Sequence, residues 1–260
     1  MNSQSQKVSF KTEDDITIVG VLSLPNKKKP PVILMAHGFC ADKSENGFFQ
    51  HASQIFTRNG CAVLRFDFRG CGESDGQFIN VRLFDKTRDV KSAINFLKNC
   101  DLKLDKENIG YVGFSLGATI GLLAESNDIK VSAFWSPAFF PCDDMYPRYC
   151  TEEIKSELKN YGYFTKEKLK VGTAFLEDLS KCNTKELLKR YDKPSIVIHG
   201  KNDKRISYLS TKKGFESLSC HKLINLIEGA SHSFRESKKL RNDVAKLTAI
   251  WFNYYFAKKK

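Results

Sequence analysis

Three residues of this chain can do chemistry together. Ser115 lies in Gly113-Phe114-Ser115-Leu116-Gly117, Asp203 in His199-Gly200-Lys201-Asn202-Asp203, and His232 in Gly229-Ala230-Ser231-His232. Each follows an apolar run with strand character: Ile109 to Phe114, Ser195 to Ile198, and Leu223 to Ile227. A serine hydroxyl is a weak nucleophile at neutral pH and needs a base within hydrogen-bond reach. Histidine is the usual base, and a carboxylate must orient it and stabilise the imidazolium. The set therefore suits attack on a carbonyl carbon and passage through an acyl-serine.

The surroundings of Ser115 fit that role. An apolar strand enters the pentapeptide and a run of helix formers, Leu116 to Ala124, leaves it. This is the strand–turn–helix elbow that lifts a serine hydroxyl to the top of a sheet, at the positive end of the following helix. Gly113 and Gly117 are expected to let strand and helix approach closely. The oxyanion of a tetrahedral intermediate needs preorganised N–H donors. The amide of Leu116, next to the nucleophile, is one candidate. The amide of Phe39 is the other, because His37-Gly38-Phe39 ends the apolar strand run Val32 to Ala36.

Competing residues have other expected uses. His37 is read as a structural histidine, and His51, His199 and His221 as lying off the site. Asp67 and Arg69 are expected to hold their turn-rich loop by bonds to backbone and to each other. For the acid, Asn202 lacks charge and Asp178 lies in the expected cap, which leaves Asp203.

The elements that must position these residues alternate. Val8 to Lys11 and Ile16 to Leu24 read as a hairpin. Strand runs follow at 32–36, 61–66, 109–114, 131–135, 195–198 and 223–227. Helical spacing appears at Phe48 to Asn59, Val81 to Asn99, Leu116 to Ala124, Ser207 to Leu218 and about Arg235 to Phe256. In the last, Val244, Leu247, Ile250, Trp251 and Tyr254 are the expected apolar face. This pattern predicts an α/β fold with a mostly parallel, doubly wound sheet. Between Pro137 and Asp192 the rhythm breaks into an aromatic, charged stretch with helices expected near 151–159, 166–179 and 184–191. The domain reading is a core of 1–136 and 193–260 with a small helical cap insertion at 137–192.

Composition narrows the classes. The chain has 260 residues, 41% hydrophobic and 28% charged, enough for one sizeable core. Its net charge is +12, from 42 basic and 30 acidic residues, but the cations are scattered and form no nucleic-acid face. Eight cysteines carry no C-x-x-C, so neither zinc nor a disulfide framework is indicated, and a Cys142–Cys150 bridge is not the preferred reading. No apolar run is long enough to span a membrane, and the polar N-terminus does not read as a signal peptide. A cytoplasmic location is expected.

Taken together, these motifs resemble the α/β-hydrolase superfamily. The resemblance also rests on Leu64-Arg65-Phe66-Asp67-Phe68-Arg69-Gly70 with Gly72-Glu73-Ser74-Asp75-Gly76. Within the superfamily the chain is similar to bacterial cinnamoyl and feruloyl esterases and to monoacylglycerol lipases. The resemblance implies the chain order Ser, Asp, His for the triad, no metal or cofactor, and a cap that sets substrate choice. The expected activity is a carboxylesterase acting on short to medium acyl or aryl esters. A thioesterase, an amidase or an acyltransferase would use the same triad, and a ligand-binding module on a hydrolase fold is the reading from another class. The expected partner is a small-molecule ester, with the oligomeric state left open.

Overall fold

The chain opens with the expected hairpin. β1 (Gln4–Lys11) and β2 (Thr17–Leu24) pair antiparallel on either side of Glu13-Asp14-Asp15, with Asp15 at φ 62°. The computed structural model describes residues 4–258. β3 (Pro31–Ala36) is buried along its whole length. Ile33 and Met35 pack into one hydrophobic layer and Val32, Leu34 and Ala36 into the other. Burial on both faces is why the run is continuously apolar.

α1 (Phe48–Arg58), β4 (Ala62–Phe66), α2 (Lys86–Asn99), β5 (Asp105–Phe114), α3 (Leu116–Ala124) and β6 (Ile129–Trp135) continue the alternation. The chain then leaves the sheet. It forms α4 (Pro141–Asp144), α5 (Glu152–Tyr161), a small hairpin of β7 (Tyr163–Lys166) and β8 (Leu169–Gly172), α6 (Thr173–Lys181) and α7 (Lys185–Arg190). β9 (Ser195–Gly200), α8 (Tyr208–Ser217), β10 (Lys222–Ile227) and α9 (Lys238–Ala257) complete the chain.

The sheet has eight strands in the order β1-β2-β4-β3-β5-β6-β9-β10. β1 and β2 run antiparallel, and every pairing from β4 to β10 is parallel. α1 and α9 cover one face, where Phe48, Phe56, Trp135 and Phe252 pack together. α2 and α3 cover the other. This is the mostly parallel α/β sheet expected from the sequence. Ser115, Asp203 and His232 follow β5, β9 and β10, whose C-terminal ends lie along one edge, where sites of open α/β sheets gather.

Three local expectations are corrected. The helix expected from Val81 starts instead at Lys86. Val81 and Leu83 are buried at alternate positions, which an extended segment after the 3-10 turn Phe78–Asn80 satisfies, while Phe84 is exposed. The helix expected over 166–179 is interrupted. Glu167 and Lys168 adopt φ 48° and 71°, which turns the chain into the β7–β8 hairpin, and only Thr173–Lys181 is helical. Phe164 and Val171 pair across that hairpin and are both buried. The buried face of α9 is rotated from the expected one. It presents Val244, Ala245, Thr248, Ala249, Phe252 and Tyr255, whereas Ile250 and Tyr254 are exposed. Small residues let the helix dock close to the sheet, and Thr248 Oγ1 accepts the buried Trp135 indole N–H at 3.0 Å.

Candidate active site

The elbow is built by close packing. A methyl group on Gly117 would stand 2.2 Å from the Ala36 carbonyl oxygen, and one on Gly113 would stand 2.6 Å from Ala118 Cα. Both are far inside contact distance, so only glycine permits the crossing of β5, β3 and α3. Between them Ser115 is held at φ 52°, ψ −117°, a conformation that L-residues rarely adopt. Its amide donates to Trp135 O at 2.9 Å, and its carbonyl accepts from Ala118 N and Ala138 N. These bonds over-determine the strained turn.

The three expected residues meet. His232 Nε2 lies 3.0 Å from Ser115 Oγ, and His232 Nδ1 lies 2.6 Å from Asp203 Oδ2. With Nδ1 protonated and donating to Asp203, Nε2 is free to accept the serine proton. The His232 carbonyl is tied down by Ser136 Oγ at 2.8 Å, and its ring packs 5.1 Å from the Phe114 ring.

Asp203 is saturated with donors. Oδ1 accepts from the amides of Arg205 at 2.7 Å and Ile206 at 3.0 Å. Burial alone would raise its pKa, but hydrogen bonds from His199 and His232 outweigh that and hold the carboxyl well below the usual carboxylate range. Burial lowers the pKa of His232 against the opposing pull of Asp203. The imidazole is therefore neutral at neutral pH and able to act as a base.

Phe39 lines the same cavity as Ser115 and His232, its ring stacked 4.7 Å from Phe175 and tilted against Tyr149 at 5.5 Å. Leu116 is the first residue of α3, where backbone N–H groups have no acceptor within the helix. His37 is structural, as expected. It is buried, its Nδ1–H donates to Gly38 O at 2.9 Å and its Nε2 accepts the Phe68 amide. Burial, reinforced by Lys86, pushes its pKa down to about 4, which keeps it neutral.

Asp67 and Arg69 do hold their loop, but not through each other. Asp67 takes Lys43 Nζ at 2.5 Å and the Lys43 and Glu73 amides, while Arg69 pairs with Asp89 and Asp14. Cys40 packs against the core rather than lining the cavity, and burial pushes its thiol up to about 12. Cys142 and Cys150 are free thiols.

Two site residues were not anticipated. His199, expected to lie off the site, is fully buried with Nε2 3.0 Å from Asp203 Oδ2. Its position four residues before Asp203, at the end of a strand, was the available signal. Glu45 is buried in the cavity wall, and its Oε2 accepts the Gly38 amide at 2.9 Å. Burial pushes its carboxyl up to about 7. Nothing in its local sequence distinguishes it from a surface acid.

The cavity measures about 400 Å³. Phe39, Phe114 and Tyr149 form its apolar wall, and Met145, Arg148, Tyr149, Lys166 and Glu167 reach it from the 137–192 segment. Among the described residues no group of three or more His, Cys, Asp or Glu side chains is arranged to hold a metal ion. Nor is any described helix long and apolar enough to cross a membrane.

Known proteins resemble this chain in sequence and in fold. The chain is 33% identical over 117 residues to a 31.7 kDa Escherichia coli protein from the traX-finO intergenic region, a match covering 45% of this chain and 40% of that protein. It is 33% identical over 129 residues to the polyketide transferase ATR5 of Stachybotrys chlorohalonatus, covering 49% of this chain and 42% of that protein. These matches thus span less than half the length of either relative. In three dimensions it superimposes on the ferulic acid-bound esterase Est1E of Butyrivibrio proteoclasticus with a TM-score of 0.83 at 21% identity, covering 96% of this chain and 100% of that one. The sequence profile of the X-Pro dipeptidyl-peptidase (S15 family) matches residues 14–153, more than half of the chain. With its eight-stranded sheet and elbow of this type, the chain belongs to the S15 family of the α/β-hydrolase clan.

Proposed function

We propose that the chain is a serine hydrolase of carboxylic esters. Ser115 is the nucleophile, His232 the general base and Asp203 the residue that orients it. The observation that carries this reading is the paired contact at His232, 3.0 Å to Ser115 Oγ and 2.6 Å to Asp203 Oδ2. His232 takes the Ser115 proton as Oγ attacks the ester carbonyl. The amides of Phe39 and Leu116 receive the developing oxyanion. A methyl on Gly38 would stand 3.4 Å from Ser115 Cβ, which supports a loop running beside the elbow with the Phe39 amide close to the reacting carbon.

The tetrahedral intermediate collapses, the alcohol leaves with the proton from His232, and acyl-Ser115 remains. Water, deprotonated by His232, then releases the acid. The 137–192 segment acts as the cap. Its contribution of Met145 and Tyr149 beside Phe39 and Phe114 supports a short to medium acyl or aryl group.

The test is Ser115→Ala with a p-nitrophenyl ester. Turnover is expected to fall on the order of 10⁴- to 10⁶-fold, and the native enzyme to release a burst of alcohol equal to the active sites. Full activity in Ser115→Ala would refute the reading. The likeness to a polyketide transferase favours a second reading, in which an alcohol rather than water accepts the acyl group. Ester formation with added alcohol, at the expense of free acid, would establish it.

A further inference from the structure

The cavity holding Ser115 is ringed by cations that ester cleavage does not require. Arg148, Lys166, Arg205 and Arg235 line it, against Glu45 and Glu167. Three of the four form one cluster, where the 137–192 segment meets the loop after β9. Arg148 Nη1 donates to the main-chain oxygens of Lys204 at 2.9 Å and Arg205 at 3.2 Å. Those bonds fix the guanidinium without neutralising it. Arg205 Nη2 meets Glu167 Oε1 at a loose 3.3 Å. Lys166, half-buried at the end of β7, has no carboxylate within 4.0 Å among the described residues, and neither do Arg148 and Arg235.

Arg148, Lys166 and Arg235 thus keep uncompensated charge, and all three line the opening that holds Ser115. The acids beside them offset little of it. Glu45 titrates near neutrality, and one of its oxygens is committed to the Gly38 amide. The field of the cluster also reaches the reaction centre, because Arg205 contributes to lowering the pKa of His232.

We propose that the substrate carries an anionic group, a carboxylate or a phosphate, seated on Arg148, Lys166 and Arg205 while its ester carbonyl lies at Ser115. The inference rests on the ester hydrolase reading and narrows it to one substrate class. Arginine supplies forked donors for either anion, and the partly buried lysine adds a point charge.

The test compares three esters on the native protein. p-Nitrophenyl butyrate is neutral, mono-(p-nitrophenyl) glutarate carries a carboxylate on the acyl side, and 4-(butyryloxy)phenyl phosphate carries a phosphate on the alcohol side. At least one anionic ester is expected to exceed the neutral one in kcat/KM on the order of ten- to a hundredfold at low salt, mainly through KM. Which of the two gains identifies the anion. The ratio of anionic to neutral rates should fall toward one in Lys166→Glu and Arg205→Gln, and should shrink as salt is raised. Turnover of the neutral ester at least as fast as both anionic ones would overturn the inference and leave the hydrolase reading standing. Absence of turnover on all three, with no labelling of Ser115 by a fluorophosphonate, would overturn both.

Discussion

His199 Nε2 lies 3.0 Å from Asp203 Oδ2, the same carboxylate oxygen that His232 Nδ1 meets at 2.6 Å. Two histidines thus converge on one acid. His199 Nε2 faces two acceptors, Asp203 Oδ2 and the Ile206 carbonyl at 3.1 Å, and so carries the proton, while Nδ1 lies 2.9 Å from Thr211 Oγ1. His199 is fully buried, so its only use for that N–H is on this loop, shared between Asp203 and the Ile206 carbonyl. It holds the acid in place from behind while His232 faces the serine.

His199→Leu is therefore expected to lower kcat on the order of ten- to a hundredfold, the value of a hydrogen bond to a charged group, with KM little changed. His199→Gln, which keeps an N–H donor, should recover much of the loss. Steady-state kinetics on a p-nitrophenyl ester check this. Wild-type kcat in His199→Leu would remove His199 from the site.

Glu45 makes a prediction about stability. Its carboxyl rises from an ordinary 4.5 to about 7 in the folded chain because it is buried. A raised folded pKa means that the folded state binds the extra proton between those values. The stability it contributes is complete below pH 4.5 and is lost as pH rises through about 7. Glu45→Gln keeps an acceptor for the Gly38 amide and removes the ionisation. It should raise stability by about 3 kcal/mol at pH 8 and change little at pH 5. Melting temperatures at the two pH values check this, and an equal shift at both would contradict it.

Ser115 makes another. A serine held at φ 52°, ψ −117° stores strain that glycine would not. Ser115→Gly and Ser115→Ala should both be inactive, yet the glycine variant should be more stable than the alanine variant by about 1–2 kcal/mol. Denaturant unfolding distinguishes them. A glycine variant equal to or weaker than the alanine variant would mean that the turn is not strained.

The fold and the three central residues were legible for a common reason. Buried parallel strands are continuous apolar runs, and each ends in a loop whose residue types suit chemistry more than packing. Ser115, Asp203 and His232 all stand at such ends, and Leu116 to Ala124 was placed to the residue. What escaped was set by tertiary contacts. Ala245, Thr248 and Ala249 form the docked face of α9 because their small size admits the sheet and Thr248 meets the Trp135 N–H, which hydropathy does not register. The β7–β8 hairpin depends on left-handed backbone at Glu167 and Lys168, residues with no turn preference. His199 and Glu45 matter through partners distant in the chain or through burial, and local sequence records neither. The cations around the cavity come from separate stretches that only folding brings together.

Fluorophosphonate labelling of the native protein, followed by peptide mapping, tests Ser115 as the nucleophile. A single modification at Ser115 is expected, with loss of esterase activity in proportion to labelling and no labelling in His232→Ala, where the base is gone. A folded, unlabelled protein, or a label on another residue, would contradict the assignment of Ser115 as the nucleophile.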